Sequence, residues 1–311
     1  MGFGKGYGKT ILFGEHFVLY GFSAIASALG SSTTANVKII EGKGWIVDDQ
    51  RPETPGYKIK KFDEAQKSIK NVLEYLKIDT DSQKLEITFA GDLIAASGVG
   101  ASAAQCTSLA RALNDSFNLN LDDEKINEAA YEGEKAYHGT PSGIDNTAST
   151  YGGLIWFVKN LSGGKNTMDL LQSPIRIPLI IANSGITAST AEVVADVRRL
   201  KHENPNKFEK IFKEYKEIAD KAKIALLEGN IISIGNLMNQ NHKLLQAITV
   251  SGEINDKLVQ IALKNGAIGA KMTGTGRGGL VIAIAENKEI QEKIAKAIEK
   301  EGYDAWKTII G

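Results

Sequence analysis

Cysteine, net charge and long apolar runs are what this sequence lacks. Its 311 residues include one cysteine, Cys106, which excludes an intrachain disulfide and a cysteine-rich metal site and suits a reducing cytoplasm. Lys plus Arg and Asp plus Glu number 37 each, and this zero net charge argues against a nucleic-acid-binding protein. No apolar run approaches the ~18 residues of a membrane span, and the N-terminus has no signal-peptide core. We therefore expect a cytoplasmic protein without a nucleic-acid or membrane partner.

The order of the predicted elements indicates an α+β protein with two domains. Strand patterns dominate the first part of the chain, and helical patterns dominate after residue 185. Strands are predicted at 9–14, 33–40, 44–49, 56–62, 84–91, 153–160, 177–184, 267–273, 278–286 and 305–310. Helices are predicted at 62–78, 101–117, 123–137, 190–203, 208–229, 231–248, 253–266 and 288–302. We place the boundary near residue 180, which gives domains 1–180 and 181–311.

Residues 97–106, SGVGASAAQC, form a stretch of small side chains in front of a predicted helix. Free N–H groups at a helix N-terminus attract anions, and glycines allow a phosphate to approach the backbone. A close helix–helix contact between small residues explains this stretch equally well when it is taken alone. A Walker A loop is excluded because no lysine follows the glycines. The formal match to a Rossmann fingerprint is weak because the strand does not lead directly into Gly98.

Two carboxylates flank a turn in the segment GEKAYHGTPSGIDNTASTYGG, residues 133–153. Glu134 lies near the end of one predicted helix, and Asp145 opens the next helical turn. The turn between them lets both acids converge on one site, although Thr140 and Ser142 have a simpler role as helix caps. A carboxylate pair near a phosphate cradle is typical of metal binding combined with a general base.

A second glycine-rich segment, GTGRGG, spans residues 274–279 between two predicted strands. Four of its six residues are glycine, more than a hairpin turn requires. We interpret it as a second wall that faces phosphate.

Together these segments resemble the three motifs of the GHMP kinases, a family that includes galactokinases, homoserine kinases, mevalonate kinases and phosphomevalonate kinases. The resemblance rests on KTILFGEHFVLYG (9–21), GVGASAA (98–104), HGTPSGIDNTASTYGG (138–153) and GTGRGG (274–279). Within the family, the first and third of these segments are most similar to those of the mevalonate kinases. The resemblance implies a two-domain fold with a ribosomal protein S5 domain 2-like N-terminal domain and a ferredoxin-like C-terminal domain.

The resemblance also implies roles for particular residues. Asp145 matches the base that takes the proton from the attacking hydroxyl, and Lys9 matches a lysine that stabilises the developing alkoxide. Ser102 and Glu134 match ligands of Mg²⁺. The residues that match the ATP phosphate site are Gly98, Val99, Gly100, Ala101, Ser102, Ala103, Gly274 and Gly276. The residues that match the substrate side are Lys9, Glu15, His16, Asp145 and Thr190.

Three positions depart from the family pattern. Tyr7 stands where the first motif usually has proline, and Ala101 replaces the first serine of the usual GLGSSAA. Arg277 interrupts the glycines of the usual GAGGGG, where it would reach a phosphate or point to solvent. If the backbone at this position needs a positive φ, Arg277 is strained.

The implied reaction is transfer of the γ-phosphate of ATP to the C5 hydroxyl of mevalonate, with Mg²⁺, in isoprenoid biosynthesis. One alternative is another small-molecule kinase of the family, a mevalonate 3-kinase or a phosphomevalonate kinase. The absence of a Lys/Arg cluster beside residues 133–153 weakly disfavours a phosphorylated substrate. Another alternative is a catalytically inactive nucleotide-binding regulator. The presence of Lys9, Ser102, Glu134 and Asp145, the residues matched to catalysis and metal binding, disfavours it. A homodimer is an expectation from the family alone.

Overall fold

The computed structural model describes residues 1–95 and 98–311. Ser97, the first residue of the small-residue stretch, lies outside the described residues. Within the described part, the chain divides into two compact units, residues 1–9 with 28–152 and residues 10–27 with 153–311. The division falls within two long strands, β1 (Gly2–Phe13) and β2 (Ser23–Ile40), which pair with each other. The predicted boundary near residue 180 stays a prediction.

The first unit, residues 1–9 with 28–152, packs helices against one side of a small sheet. Its further elements are β3 (Gly44–Asp49), α1 (Tyr57–Lys60), α2 (Phe62–Tyr75), β4 (Lys84–Gly91), α3 (Ala101–Phe117), α4 (Asp123–His138) and α5 (Ile144–Tyr151). Strand β4 pairs antiparallel with residues 33–40 of β2 and parallel with β3. The core lies between these strands and helices α2, α3 and α4. Its fully buried side chains include Val37, Val72, Ile87, Phe89, Leu109 and Leu113.

Helix boundaries in this unit follow local chemistry. The sequence offers Asp122 or Asp123 as the cap of α4, and Asp122 accepts the capping hydrogen bond from the N–H of Lys125. In contrast, α3 begins after Gly100, and no described side chain caps it. Within the described residues, the N–H groups at the start of α3 therefore lack the capping oxygen that the N-terminus of α4 has.

The second unit, residues 10–27 with 153–311, combines two sheets with long helices. Its further elements are β5 (Leu154–Val158), β6 (Thr167–Leu171), β7 (Ile177–Asn183), α6 (Thr190–Glu203), α7 (Pro205–Glu228), α8 (Ile231–Ala247), α9 (Glu253–Lys264), β8 (Gly269–Thr273), β9 (Leu280–Ile284), α10 (Lys288–Lys300) and β10 (Asp304–Ile310). Strand β5 pairs antiparallel with residues 23–27 of β2 and with β6. Strands β10, β7, β9 and β8 pair antiparallel in that order. The predicted α+β class is confirmed.

Most predicted elements are present, but β1 begins at Gly2 rather than at residue 9, and β2 begins at Ser23 rather than at residue 33. Two further segments differ in kind. The segment 56–62 was expected to be a strand because apolar and basic residues alternate, but residues 57–60 form the helical turn α1. Ile59 is 82% exposed there, so the alternating apolar residues do not pack against the core as those of a strand would. Gly56, with φ +78°, turns the chain just before α1. Strand β6 was not expected because TMDLL has only a short and irregular apolar pattern. It forms because β5 offers it a pairing edge.

Candidate active site

The small-residue stretch forms a bare backbone surface at the start of α3. Gly98 and Gly100 have φ values of +98° and +72°, a region that disfavours residues with a Cβ atom. Val99, Ala101 and Ala103 are buried, while Gly98 is exposed and Ser102 is partly exposed. Only backbone atoms and the Ser102 hydroxyl of this stretch are thus available to a ligand. An uncapped helix N-terminus of this kind suits an anion.

Lys9 and Asp145 form an ion pair beside this surface. The distance from Lys9 Nζ to Asp145 Oδ1 is 3.1 Å, with 5% of the lysine side chain and 28% of the aspartate side chain exposed. The backbone N–H of Lys9 donates to the carbonyl of Val99 at 2.8 Å, which fixes β1 to the loop. A Cβ atom on Gly100 would lie 2.7 Å from Lys9 Cγ, so the glycine also makes room for the lysine side chain.

Glu134 is a completely buried carboxylate in the same unit. Its side chain is 0% exposed, and neither oxygen has a well-aligned hydrogen bond from the described residues, although His138 Nε2 lies 3.7 Å from Oε2. Burial, together with the charge of Asp145, raises the pKa of Glu134 to about 8. The Ser102 hydroxyl and Lys9 oppose this effect. A cation at the two oxygens would remove the cost of burying them.

Mg²⁺ fits these residues. It prefers hard oxygen ligands, often only one or two from the protein, and takes the rest from phosphate and water. Glu134 and Ser102 supply such oxygens next to the start of α3. Among residues 1–95 and 98–311, no group of three or more His, Cys, Asp or Glu side chains has metal-ligand geometry.

The second unit brings His16 and Thr190 together around Thr275. His16 Nε2 donates to the carbonyl of Thr275 at 2.8 Å, and the hydroxyls of Thr190 and Thr275 are 2.8 Å apart. His16 is 4% exposed, and burial lowers its pKa, so the imidazole is neutral at pH 7. Its Nδ1 atom is then an acceptor, and it is buried without a hydrogen-bond partner in the part of the chain that the structure describes.

Glu15, the neighbour of His16, is engaged inside the protein. Its carboxylate forms an ion pair with Lys271 of β8, and both side chains are 0% exposed. Lys271 Nζ also donates to the carbonyl of Met272 at 2.8 Å. The predicted contact of Glu15 with substrate stays a prediction. The structure instead assigns the residue an internal partner that fixes the segment 14–16.

Sequence reasoning did not single out Lys271 or Arg51. Lys271 had a signal, since it is the one charge in the apolar strand pattern AIGAKMT. Arg51 had none, yet it is 5% exposed and donates to the Ala101 carbonyl at 3.3 Å and to Gln105 Oε1 at 2.9 Å. It also forms an ion pair with Asp49 at 2.6 Å. Arg51 therefore anchors the first turn of α3.

The glycine-rich segment 274–279 connects β8 to β9. Gly274 is partly exposed with φ +79°, and no atom lies within 4 Å of the Cβ atom it lacks. Gly276 is buried with φ +87°, and a Cβ atom there would lie 2.2 Å from the carbonyl oxygen of Val250. Only Gly274 of this pair has open space beside it for a ligand.

Membrane-spanning helices are not found: within the two described ranges, no helix combines the length and apolarity that crossing a bilayer requires.

Comparison with known proteins defines the class to which this fold and site belong. The family model for the GHMP kinases N terminal domain matches residues 65–153, and the GHMP kinases C terminal model matches residues 222–304. The chain belongs to the GHMP kinase family, and the fold predicted from its motifs is confirmed.

Several relatives within that family are mevalonate kinases. The chain is 31% identical to the mevalonate kinase of Pyrococcus abyssi, over 94% of this chain and 91% of the relative. The crystal structure of L. major mevalonate kinase in complex with R-mevalonate is 40% identical and superposes with a TM-score of 0.95, covering 100% of this chain and 96% of that one. The Methanococcus jannaschii mevalonate kinase is 26% identical with a TM-score of 0.81, covering 99% and 98%.

Proposed function

We propose that this chain is a mevalonate kinase that transfers the γ-phosphate of ATP to the C5 hydroxyl of mevalonate. The observation that carries the proposal is the Lys9–Asp145 ion pair at 3.1 Å beside the uncapped start of α3. It supplies a base and a cation next to a backbone surface suited to phosphate. Mevalonate, as the substrate, comes from the similarity to mevalonate kinases over nearly the whole chain.

The chemistry assigned to the pair is proton transfer with charge stabilisation. Asp145 Oδ accepts the proton of the C5 hydroxyl as the hydroxyl oxygen forms its bond to the γ-phosphorus and the bond from that phosphorus to the β,γ-bridging oxygen of ATP breaks. Lys9 Nζ, held 3.1 Å from Asp145, stabilises negative charge on the attacking oxygen. Phosphoryl transfer needs mainly positioning and charge neutralisation, and this pair supplies both at the attacking hydroxyl.

The phosphate side of the proposal rests on the first turn of α3. The backbone N–H groups of residues 98–103 bind the ATP phosphates, and Gly274 contributes from the second glycine-rich segment. The predicted phosphate contact of Gly276 stays a prediction, because Gly276 is buried against the Val250 carbonyl. Glu134 and Ser102 hold Mg²⁺, which when bound neutralises phosphate charge. The support for the metal is the buried carboxylate of Glu134, whose oxygens lack well-aligned partners among the described residues.

The substrate side rests on His16 and Thr190. The buried acceptor Nδ1 of His16 and the exposed Thr190 hydroxyl are polar groups suited to the hydroxyl and carboxylate of mevalonate. The division into domains 1–180 and 181–311, a cytoplasmic location and a homodimer are retained as further proposals from the family.

The test is a substrate panel in a coupled assay of ADP release with Mg²⁺. We expect turnover with mevalonate and little with phosphomevalonate, galactose or homoserine. Phosphorus NMR of the product should show a phosphate on C5 rather than on the tertiary C3 oxygen. Absence of turnover with mevalonate contradicts the proposal, a C3 phosphate makes the chain a mevalonate 3-kinase, and ATP binding without any turnover makes it an inactive regulator.

A further inference from the structure

Arg277 occupies a backbone conformation that its neighbours fill with glycine. Its φ is +51°, between Gly276 at +87° and Gly278 at +128°. A residue with a Cβ atom is less stable than glycine in this region. Strained residues of this kind persist where the surrounding structure holds them, and they concentrate at functional sites. The arginine side chain therefore calls for a role that offsets its backbone strain.

The Arg277 side chain joins two other elements of the second unit. Nη1 donates to Asp196 Oδ2 on α6 at 2.5 Å, while Nε donates to the carbonyl of Thr249 at 3.1 Å and Nη2 to its hydroxyl at 3.3 Å. The backbone N–H of Arg277 donates to Val250 at 2.8 Å. Thr249 itself has φ +62°. Two strained residues thus support each other at the end of α8, and the guanidinium extends from there to α6.

These contacts close a ring around the predicted substrate-side residues. Helix α6 begins at Thr190, whose hydroxyl meets that of Thr275, and one and a half turns later it carries Asp196. Asp196 holds Arg277, which is two residues after Thr275 in the chain. The Thr275 carbonyl in turn accepts the hydrogen bond from His16. The ring runs from Thr190 along α6 to Asp196, across to Arg277, and back along the chain to Thr275.

Stability alone does not explain this ion pair. About a third of each side chain is exposed, 34% for Arg277 and 39% for Asp196, and pairs exposed to this extent contribute little to stability. That gain is no larger than the cost of the strained backbone. Asp196 also keeps a second cation, Arg199, at 3.6 Å. The net contribution of the pair to folding is therefore near zero, and its geometry remains as the explanation.

We propose that Arg277 is a positioning residue that fixes the N-terminal half of α6, which includes its first turn, against Thr275 through Asp196. It thereby sets the place of the Thr190 hydroxyl and of the Thr275 carbonyl that orients His16. This inference rests on the proposed function, because it takes Thr190 and His16 to face the alcohol substrate. This positioning role differs from the earlier alternative, in which Arg277 reaches a phosphate as a cation, because Asp196 and Thr249 hold the guanidinium.

The sharpest variant is Arg277→Gly, because glycine removes the side chain and relieves the backbone strain at once. We expect an unfolding temperature equal to or above that of the wild type. The KM for mevalonate should rise about tenfold through misplacement of the pocket, while the KM for ATP changes less than about twofold. Asp196→Asn should shift the mevalonate KM in the same direction. The double variant should be no worse than Arg277→Gly, because both changes break one contact.

The matched control is Lys77→Gly in the first unit. Lys77 is also a cation with a positive φ, +55°, and lies just after α2. The variant Lys77→Gly should leave the KM for mevalonate and the KM for ATP unchanged. If Arg277→Gly raises only the KM for ATP, Arg277 binds the nucleotide. If it changes neither KM, Arg277 has no role in the site. Either result overturns the proposal, as does an equal shift in Lys77→Gly.

A readout without turnover separates this proposal from the proposed function. Amide hydrogen exchange of residues 186–197 should be faster in Arg277→Gly than in Lys77→Gly, because the first turn of α6 has lost its tether. If the wild type uses another alcohol, the same KM comparison is made with that alcohol, and only the mevalonate assignment fails. If no alcohol is turned over, equal exchange in the two variants overturns the positioning role.

Discussion

Two glycine-rich segments of similar composition serve different physical needs in this protein. In the segment 98–103, the glycines leave the start of α3 bare beside Lys9 and near the buried Glu134. In the segment 274–279, Gly276 and Gly278 pack closely against the protein's own backbone. A Cβ atom added to Gly276 or Gly278 would lie 2.2 Å or 2.7 Å, respectively, from a backbone carbonyl oxygen. Asn255 also exchanges two hydrogen bonds of 2.8 Å with Gly278. Glycine content alone therefore does not distinguish a ligand site from a tightly packed turn.

The largest expected effect tests whether the first segment faces a reacting group. Asp145→Asn keeps the shape of the side chain but removes the base, so turnover should fall about 10²-fold or more while ATP affinity stays near that of the wild type. The measurement is kcat with an independent titration of ATP. Asp123→Asn is the matched control, because Asp123 is also ion-paired, with Arg111 at 2.7 Å, on the surface of the same unit. Near-normal turnover in Asp145→Asn would exclude Asp145 as the base.

A second test concerns the metal beside the first segment. Glu134→Gln removes the charge of a buried oxygen ligand, so the Mg²⁺ concentration for half-maximal activity should rise about 10–100-fold. Glu132→Gln on the same helix is the control, because Glu132 forms an ion pair with Lys135 at 2.6 Å and is partly exposed. An unchanged Mg²⁺ dependence in Glu134→Gln would show that Glu134 is not a ligand of the metal.

A third test addresses crowding in the second segment. Gly276→Ala places a Cβ atom against the Val250 carbonyl in addition to its positive φ, so the free energy of unfolding should fall by about 2–4 kcal/mol. Gly274→Ala has the positive φ without the crowding and should cost about 1 kcal/mol. Urea unfolding of the two variants measures the difference. Equal losses would mean that backbone conformation, not close packing, explains the glycine at 276.

The smallest effect is a pH dependence of stability next to the second segment. His242 Nδ1 accepts a hydrogen bond of 3.4 Å from the N–H of Met272 in β8. Burial, together with the charge of Lys271, lowers the pKa of His242 to about 4, against the opposing effect of Asp256, which lies 3.1 Å from Nε2. Between pH 6.5 and 4 the unfolded chain binds a proton that the folded chain does not. The contribution of His242 to the free energy of unfolding is therefore fully present above pH 6.5. It falls as the pH decreases, by at most about 3 kcal/mol.

Comparing variants isolates this contribution. Unfolding free energies at pH 7 and pH 4.5 should differ less in His242→Gln than in the wild type. His202→Gln, at an exposed position of α6, should keep the wild-type difference. Equal pH dependence in all three proteins would contradict the assignment to His242.

The elements that the sequence predicted correctly are those with clear local signals. Helix α3 begins and ends at the residues expected from its pattern, and Asp122 caps α4 as expected. Strands β3 and β4 also have the predicted bounds. The segment 56–62 failed because alternation predicts a strand only where one face meets a core, and Ile59 meets none. Strand β6 has little pattern of its own and depends on pairing with β5.

For the candidate site, the motifs identified residue types and the structure supplied their partners. Lys9 and Asp145 are 136 positions apart in the chain and meet at 3.1 Å. Glu15 matched the substrate side by motif, yet its partner Lys271 is visible only in the folded protein. The alternatives left open for Arg277, a phosphate or solvent, did not include Asp196, because α6 and the segment 274–279 are distant in sequence.

The sequence by itself determined the fold class, most helix and strand bounds and the family, because periodicity, capping residues and motif spacing are local properties of the chain. Tertiary structure alone decided the burial of Glu134, the pairing of Glu15 with Lys271 and the ring through Arg277. Burial and ion pairing depend on which distant segments pack together, and a pKa or a strained backbone takes its value only from that packing.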